Sequence, residues 1–564
     1  MLLLIAHALH ARAEAEPPDA VVVGAGFAGL AAAAYLCERG YNVTVLESRA
    51  RLGGRVRTEE LGGVTVELGA GWLHGASYAF NSLVRLARAN SIRTPVGSDD
   101  TRGTWRLDAR APAAATLTPV VDEGAWEACA GAFASHITQR QREWSQTETL
   151  RARFDEWVRA RSMSDDAVAG CAALVASDAA DLEYGASAAQ LGAAQHGVEH
   201  ELRGGDALVH PADGGYAALV RALRERIERA RAGSACSVRT GATVAAIERG
   251  GADSWERASG GVVVELVGGE RLRRTFAIST LPLGVLQARG VAFRPELHER
   301  KRGALGRLGV GLLNRVILVY STPFWAEEAH GERCWLRPVV FTGGAQDGGA
   351  PLPVGAALEF WNGARFGARV EGPSGRGPAA VALLVGAELA RSWEDEASDL
   401  HVVQRIDDLF RRMFPGAGSD GASLVASTVT RWGNESASRG AFSFLPPRAT
   451  PADREVLCRA DGGDRPVLFW AGEHCSVQMP ATTHGAYDTG VAAAQMAEQH
   501  FPLPGRLTNG ATIAVSVFAA ACGCAVAVGL GRLLLLRARL MAPRDTSPAP
   551  AKPLPSSRPR SLKV

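Results

Sequence analysis

The feature that most constrains this chain lies between residues 20 and 47. Ala20-Val21-Val22-Val23 is a short apolar run followed at once by Gly24-Ala25-Gly26-Phe27-Ala28-Gly29. The helix-forming stretch Leu30-Ala31-Ala32-Ala33-Ala34-Tyr35-Leu36 comes next. After Gly40 a second apolar segment, Val43-Thr44-Val45-Leu46, ends on Glu47. Strand, glycine turn, helix, strand and terminal acid in this order spell a βαβ dinucleotide-binding unit. Gly24 permits the tight turn, Gly26 lets backbone N–H groups approach a pyrophosphate at the helix N-terminus, and Gly29 lets the helix pack close to the strand. Glu47, eighteen residues after Gly29, is placed to accept hydrogen bonds from an adenosine ribose. In a chain with 64 glycines the spacing alone would carry little. Its place between two apolar runs carries the assignment.

Length and composition narrow the rest. A chain of 564 residues exceeds one hydrophobic core and suits two connected domains. A net charge of +2 offers no field for a nucleic-acid partner. Cys37, Cys129, Cys171, Cys236, Cys334, Cys458, Cys475, Cys522 and Cys524 show neither CxxC nor Cys/His ligand spacing, so no metal site and no disulfide framework can be read. Neither G-x-S-x-G nor HExxH occurs.

Further motifs follow in order. They are Arg51-Leu52-Gly53-Gly54-Arg55, Glu67-Leu68-Gly69-Ala70-Gly71-Trp72-Leu73-His74-Gly75, Leu281-Pro282-Leu283-Gly284-Val285-Leu286, Thr430-Arg431-Trp432, Ala471-Gly472-Glu473-His474 and Pro480-Ala481-Thr482-Thr483-His484-Gly485-Ala486-Tyr487. Together they resemble the flavin-containing amine oxidases, above all the polyamine oxidases, over about residues 18 to 500. The resemblance implies FAD and an α/β fold, and because phosphate and ribose contacts alone give a large buried site the FAD is expected to be held non-covalently. A discontinuous Rossmann-like FAD-binding domain is expected over 18–95, 206–290 and 425–500, and an α+β substrate-binding domain over 96–205 and 291–424. Apolar spacing predicts a helix from Ala217 and strands at Thr243–Ile247, Gly261–Leu266, Phe276–Thr280 and Arg315–Tyr320, with one helix around Trp126 to Arg153.

The resemblance also implies roles. Arg49, Gly54, Arg55 and the backbone of Gly69, Ala70, Gly71 and Trp72 would meet the phosphates and isoalloxazine, and the backbone of Val244 the adenine. Trp432 and Glu473 would flank the ribityl and pyrophosphate region, and Thr482 and Thr483 the flavin ring. Phe442 matches one wall of an aromatic substrate cage whose other wall is Thr482, and His74 matches a position that faces the substrate. Two departures stand out. Arg315, in Gly311-Leu312-Leu313-Asn314-Arg315-Val316, occupies the place of a common family lysine that holds a water against the flavin, and the two cations are not interchangeable. Asn434-Glu435-Ser436 stands where relatives often carry Asp-Pro. Glu199, Glu201 and Asp206 are carboxylates that polyamine recognition could use, with no placement readable.

The expected activity is oxidation of an amine, a polyamine such as spermine or spermidine, with O2 as acceptor and imine or aldehyde and H2O2 as products. The alternatives are a monoamine or L-amino-acid oxidase, a histone-lysine demethylase, for which a long helical insertion is missing, or a non-catalytic flavin-stabilised membrane protein.

Outside the resemblance, Gly510–Gly531 is an uncharged run of 22 residues. As a helix it spans roughly 33 Å, which predicts a C-terminal transmembrane helix. The basic, Pro-rich tail 532–564 is expected to be disordered and cytosolic. Residues 1–15 resemble a short signal peptide, which would place the catalytic part on the luminal or extracellular side of a single-pass membrane protein. Without that signal the chain is tail-anchored with its enzyme in the cytosol.

Overall fold

Parallel strands buried on both faces read as unbroken apolar runs, and Asp19–Val23 is the middle strand of such a sheet. In the computed structural model the described residues are 17–503, apart from 78, 96–101, 109–117, 120–123, 198–204, 231–234, 251–260, 328–334, 343–357, 364–376, 397, 417–420 and 463–464. The sheet has five strands in the order Leu468–Trp470, Phe276–Ser279, Asp19–Val23, Asn42–Leu46 and Cys236–Arg239, each pair parallel. Three separate stretches of sequence therefore build one sheet. Against it lies the helix Phe27–Glu38, buried on nearly every side, with Ala217–Ala230 and Thr483–His500 as neighbours. Small side chains allow that closeness: a Cβ on Gly490 would stand 2.1 Å from the Ala28 carbonyl oxygen.

A second sheet has seven strands in the order Leu424–Val429, Leu313–Tyr320, Ala379–Gly386, Glu359–Trp361, Trp335–Thr342, Arg102–Asp108 and Thr118–Pro119. The strand Leu313–Tyr320 shows the period of two that aims side chains at alternate faces. Val316, Leu318 and Tyr320 pack into a core with the helix Asp399–Met413, while Ile317 and Val319 pack on Val64, Val66 and Leu68. Arg315 shares parity with the second set, so it is carried towards the Glu67–Trp72 segment. A four-stranded sheet, ordered Arg271–Arg274, Val262–Leu266, Val244–Arg249 and Ala292–Arg294, presents Val244 at a register shift between Val244 and Ala246.

Three expectations need correction, and one point left open in the sequence is filled. The single helix around Trp126 to Arg153 is two, Gly124–Arg140 and Leu150–Arg159. They are parted by a turn in which Glu148 accepts the Ser145 N–H and Thr149 caps the second helix through Ala152 N–H. Disulfides absent from the sequence reading join Cys37 to Cys236, Cys129 to Cys171 and Cys458 to Cys475. The expected transmembrane helix is not supported: no helix among the described residues is long and apolar enough to cross a membrane, and 510–531 lies outside those residues. The single-pass membrane localisation falls with it. The signal-like residues 1–15 and the tail 532–564 also lie outside the described residues.

Candidate active site

The turn after the first strand sets one wall of a cavity of about 810 Å³. Gly24 takes φ +101°, a left-handed conformation, and a Cβ on Gly29 would stand 1.9 Å from the Gly24 carbonyl oxygen. At Gly26 a Cβ would meet nothing within 4 Å, because that direction is open cavity. Gly26 is also the N-cap of the helix Phe27–Glu38 and offers no side chain to it. The positive end of a helix is thus bared to the cavity, which suits a pyrophosphate. Thr280, unassigned in the sequence, fastens this turn by donating to the Val23 carbonyl at 2.7 Å.

Every residue given a cofactor, substrate or catalytic role in the sequence, Gly29 excepted, lines this one cavity: Gly24, Gly26, Glu47, Arg49, Gly54, Arg55, Gly69, Ala70, Gly71, Trp72, His74, Val244, Arg315, Trp432, Phe442, Glu473, Thr482 and Thr483. A second cleft, about 970 Å³, shares only Arg439 with it. Glu47, buried at the end of its strand, accepts the Ala25 N–H at 2.8 Å and the Arg49 N–H at 3.0 Å. Arg49 in turn pairs with Glu435 at 2.5 Å, so the departure at Asn434-Glu435-Ser436 brings a carboxylate onto the cavity rim.

Glu473 is the electrostatic anchor. It accepts from Arg55 at 2.9 Å, from the Ser443 hydroxyl at 2.7 Å and from the Ala481 N–H at 3.2 Å. Burial works to raise its pKa, but Arg55 foremost, with His474, Ser443 and Arg454, outweighs burial and holds the carboxyl down at about 2. Glu473 is thus a fixed anion, paired with Arg55 on the cavity wall.

Arg315 is buried. It donates to the Glu67 carbonyl at 2.6 Å and lies 4.8 Å above the Trp72 ring. Burial lowers its pKa to about 10, so it stays charged at neutral pH. Thr430 and Trp432 explain their motif. The Thr430 hydroxyl accepts the Arg315 N–H at 2.8 Å, while the Trp432 indole donates to the Leu68 carbonyl at 3.0 Å. Between them they clamp the Arg315 strand to the Glu67–Gly71 segment. Glu67, given no role from sequence, accepts the Tyr216 N–H at 2.7 Å and the Thr58 hydroxyl at 2.7 Å, and burial pushes its pKa up to about 7.

His74 and Asp206 meet because their strands do. Trp72–Leu73 pairs antiparallel with Ala207–Leu208, and the next position across is His74 Nδ1 against Asp206 Oδ2 at 2.9 Å. Burial disfavours the charged ring, but the hydrogen bond and charge of Asp206, with the charge of Glu183, raise the His74 pKa above its ordinary value. Of the other carboxylates considered, Glu199 and Glu201 lie outside the described residues. Asp178, Glu183 and Glu359 line the cavity, and sequence reasoning missed all three. Asp178 sits in a one-turn π-helix, Ser177–Asp181, an irregularity frequent at functional sites and silent in the sequence. Phe442 lines the cavity from the short strand Phe442–Phe444 paired with Gly309–Gly311. Thr482 is the N-cap of Thr483–His500, its hydroxyl accepting the Gly485 N–H at 3.0 Å.

A glycine turn under a bared helix end and a buried acid at the strand terminus define a dinucleotide-binding protein of the doubly wound type, with a cation–anion pair, Arg55 and Glu473, on the same cavity wall. A family model described as flavin containing amine oxidoreductase matches residues 27–497, and the chain belongs to that family. Its cofactor is FAD, and the open space before Gly26 fits it. Among relatives, "Lysine-specific histone demethylase 1 homolog 2" of Oryza sativa subsp. japonica is 31% identical, over 85% of this chain and 58% of its own length. "Polyamine oxidase 4" of the same plant is 26% identical, over 85% and 88%. A solved structure of putrescine oxidase bound to putrescine superposes with a TM-score of 0.61 at 18% identity, covering 85% of this chain and 98% of that one, a likeness of fold. The chain thus spans little more than half the length of the demethylase relative.

Proposed function

We propose that this chain oxidises an amine carrying a second positive charge, a polyamine such as spermine or spermidine. The observation that supports this reading is the set of four carboxylates, Asp178, Glu183, Asp206 and Glu359, on the wall of the cavity that also holds the FAD motifs. A monoamine would use one of them at most. Bound FAD supplies the two-electron acceptor for a hydride equivalent from the carbon beside nitrogen, O2 taking the electrons on to H2O2.

The chain's own residues prepare the substrate. The carboxylates draw a polycation into the cavity and fix its distal ammonium groups. With Nδ1 of His74 held by Asp206, Nε2 is the nitrogen left to take the proton of the reacting ammonium, which must be lost before hydride departs. Phe442 and Trp72 give the alkyl chain an apolar path, and Arg315 holds positive charge close to the ring end of the cofactor site. The similarity to demethylases keeps one competitor in the test.

Anaerobic stopped-flow reduction of the purified flavoprotein by spermine, spermidine, putrescine, benzylamine, an L-amino acid and a methyl-lysine peptide decides the matter. Spermine or spermidine should reduce fastest. Glu183→Gln should raise KM for them roughly tenfold, a change of about 1.4 kcal/mol, and leave the KM of benzylamine unchanged. Fastest reduction by the methyl-lysine peptide, or equal effects on all amines, would refute the polyamine reading.

A further inference from the structure

Glu473 lines the cavity, but the two residues that follow it do not. His474 and Cys475 continue the same short turn, and Cys475 is bonded to Cys458 at the end of the helix Pro451–Cys458. The His474 ring is 1% exposed, and both Nδ1 and Nε2 lack a hydrogen-bond partner. A buried imidazole with neither nitrogen satisfied calls for an explanation. One stands beside it: a His474 ring nitrogen and the Sγ atoms of Cys458 and Cys475 all lie within 4.8 Å of one another.

We propose that reduction of Cys458–Cys475 turns this cluster into a Cys2His site for a thiophilic divalent cation of the zinc class, so that disulfide and metal exclude each other. Two thiolates and an imidazole are the donors such a cation prefers, with metal–sulfur bonds of about 2.3 Å and metal–nitrogen bonds of about 2.0 Å. Those lengths set the ligand atoms roughly 3.5–3.8 Å apart, a spacing that side-chain rotation reaches from the present arrangement. Water completes the fourth position. Charge also balances. The thiolates cancel the dication, so coordination adds no net charge beside Arg454, which is buried and donates to the His474 carbonyl at 3.3 Å. Neither cysteine is fully buried, which leaves the disulfide within reach of a reductant.

The redox step uses a small dithiol. Two electrons from its sulfurs enter the Cys458–Cys475 bond, which breaks to two protein thiols, while the dithiol closes into its own disulfide with its two protons transferred. Metal binding then displaces the two protein thiol protons to solvent. Because Glu473 directly precedes His474 and anchors Arg55 and Ser443, the site would link thiol redox state to the cofactor's cradle.

The test is a Co2+ titration of the flavin-loaded protein after dithiothreitol treatment and anaerobic gel filtration. One equivalent should bind, with thiolate-to-cobalt charge transfer and tetrahedral d–d bands beyond the flavin absorption, and Zn2+ should displace it. Untreated protein should show no such bands. The other two disulfides also yield thiols, so Cys458→Ser/Cys475→Ser is the control, and it should weaken binding at least roughly 100-fold. His474→Gln should weaken it roughly tenfold or more. If that variant does not fold, Cys458→Ser alone carries the comparison. Reduced protein that keeps or loses its flavin without taking up Co2+ overturns the proposal, as does a Co2+ spectrum unchanged in the double variant.

Discussion

Side chains at three positions separate folding from chemistry. A Cβ on Gly26 enters open cavity, whereas one on Gly29 collides with the Gly24 carbonyl at 1.9 Å. We expect Gly26→Val to fold and lose FAD, seen as unchanged far-UV circular dichroism without flavin absorbance. Gly29→Ala should instead lower stability, by about 1–3 kcal/mol for an overpacked contact, as denaturant unfolding would report. A Gly26→Val protein with full flavin absorbance would contradict the nucleotide assignment. Arg315 offers a sharper test. If it serves the reaction in place of the family's lysine, Arg315→Lys should alter reoxidation by O2 more than reduction by amine. A tenfold effect corresponds to about 1.4 kcal/mol, within reach of one repositioned charge. Stopped-flow measurement of both half-reactions decides between that role and a purely structural clamp on Glu67 and Trp72, for which the two would shift together or not at all.

Elements bring other residues into question, because secondary structure claims some of the same atoms. The Thr482 hydroxyl is engaged as an N-cap. Thr482→Ala should therefore cost about 1 kcal/mol of stability, whereas Thr482→Ser, which retains the cap, should cost little; a thermal melt shows whether this holds. The pairing of Trp72–Leu73 with Ala207–Leu208 creates the His74–Asp206 contact, and its pH dependence follows from the shifts. The His74 pKa is raised on folding, so its stabilisation is full below its unfolded value near about 6.5 and is lost as pH rises through the folded value. The Asp206 pKa is lowered, burial being outweighed by His74, so its stabilisation is present above about 3.9 and lost as pH falls through the folded value. The melting-temperature gap between wild type and His74→Asn should be widest between those limits and close at alkaline pH. A gap that widens with rising pH would reverse the assignment. Both side chains are open to solvent, at 42% and 45% exposure, so the effect should be small and weakened by salt.

Across the whole molecule, the disulfide Cys37–Cys236 ties the nucleotide-binding helix to an edge strand 199 residues away. Cys37→Ala/Cys236→Ala should cost about 2–5 kcal/mol, read as a lower melting temperature that dithiothreitol no longer changes at this link. By itself the sequence determined the elements whose signal is local. The strand–glycine turn–helix–strand unit at Ala20–Glu47 is legible because its steric demands fall on neighbouring residues, and the strand Arg315–Tyr320 because its apolar run is unbroken. The motif residues, Arg55 and Glu473 among them, stood out as a set through resemblance rather than through any local physics, and the fold brings them to one cavity. What only the tertiary structure decided are contacts between distant stretches. Glu67 reaches Tyr216, Trp432 reaches Leu68, and Asp178, Glu183 and Glu359 arrive on one wall with Asp206. The three disulfides among the described residues were unreadable for the same reason, since nine cysteines at irregular spacing fix no pairing. The break between Arg140 and Leu150 was hidden because Glu148 and Thr149 act there through side-chain hydrogen bonds to backbone, which composition does not display. Periodicity and glycine turns are local properties of a chain, whereas the partner of a buried charge is chosen by packing.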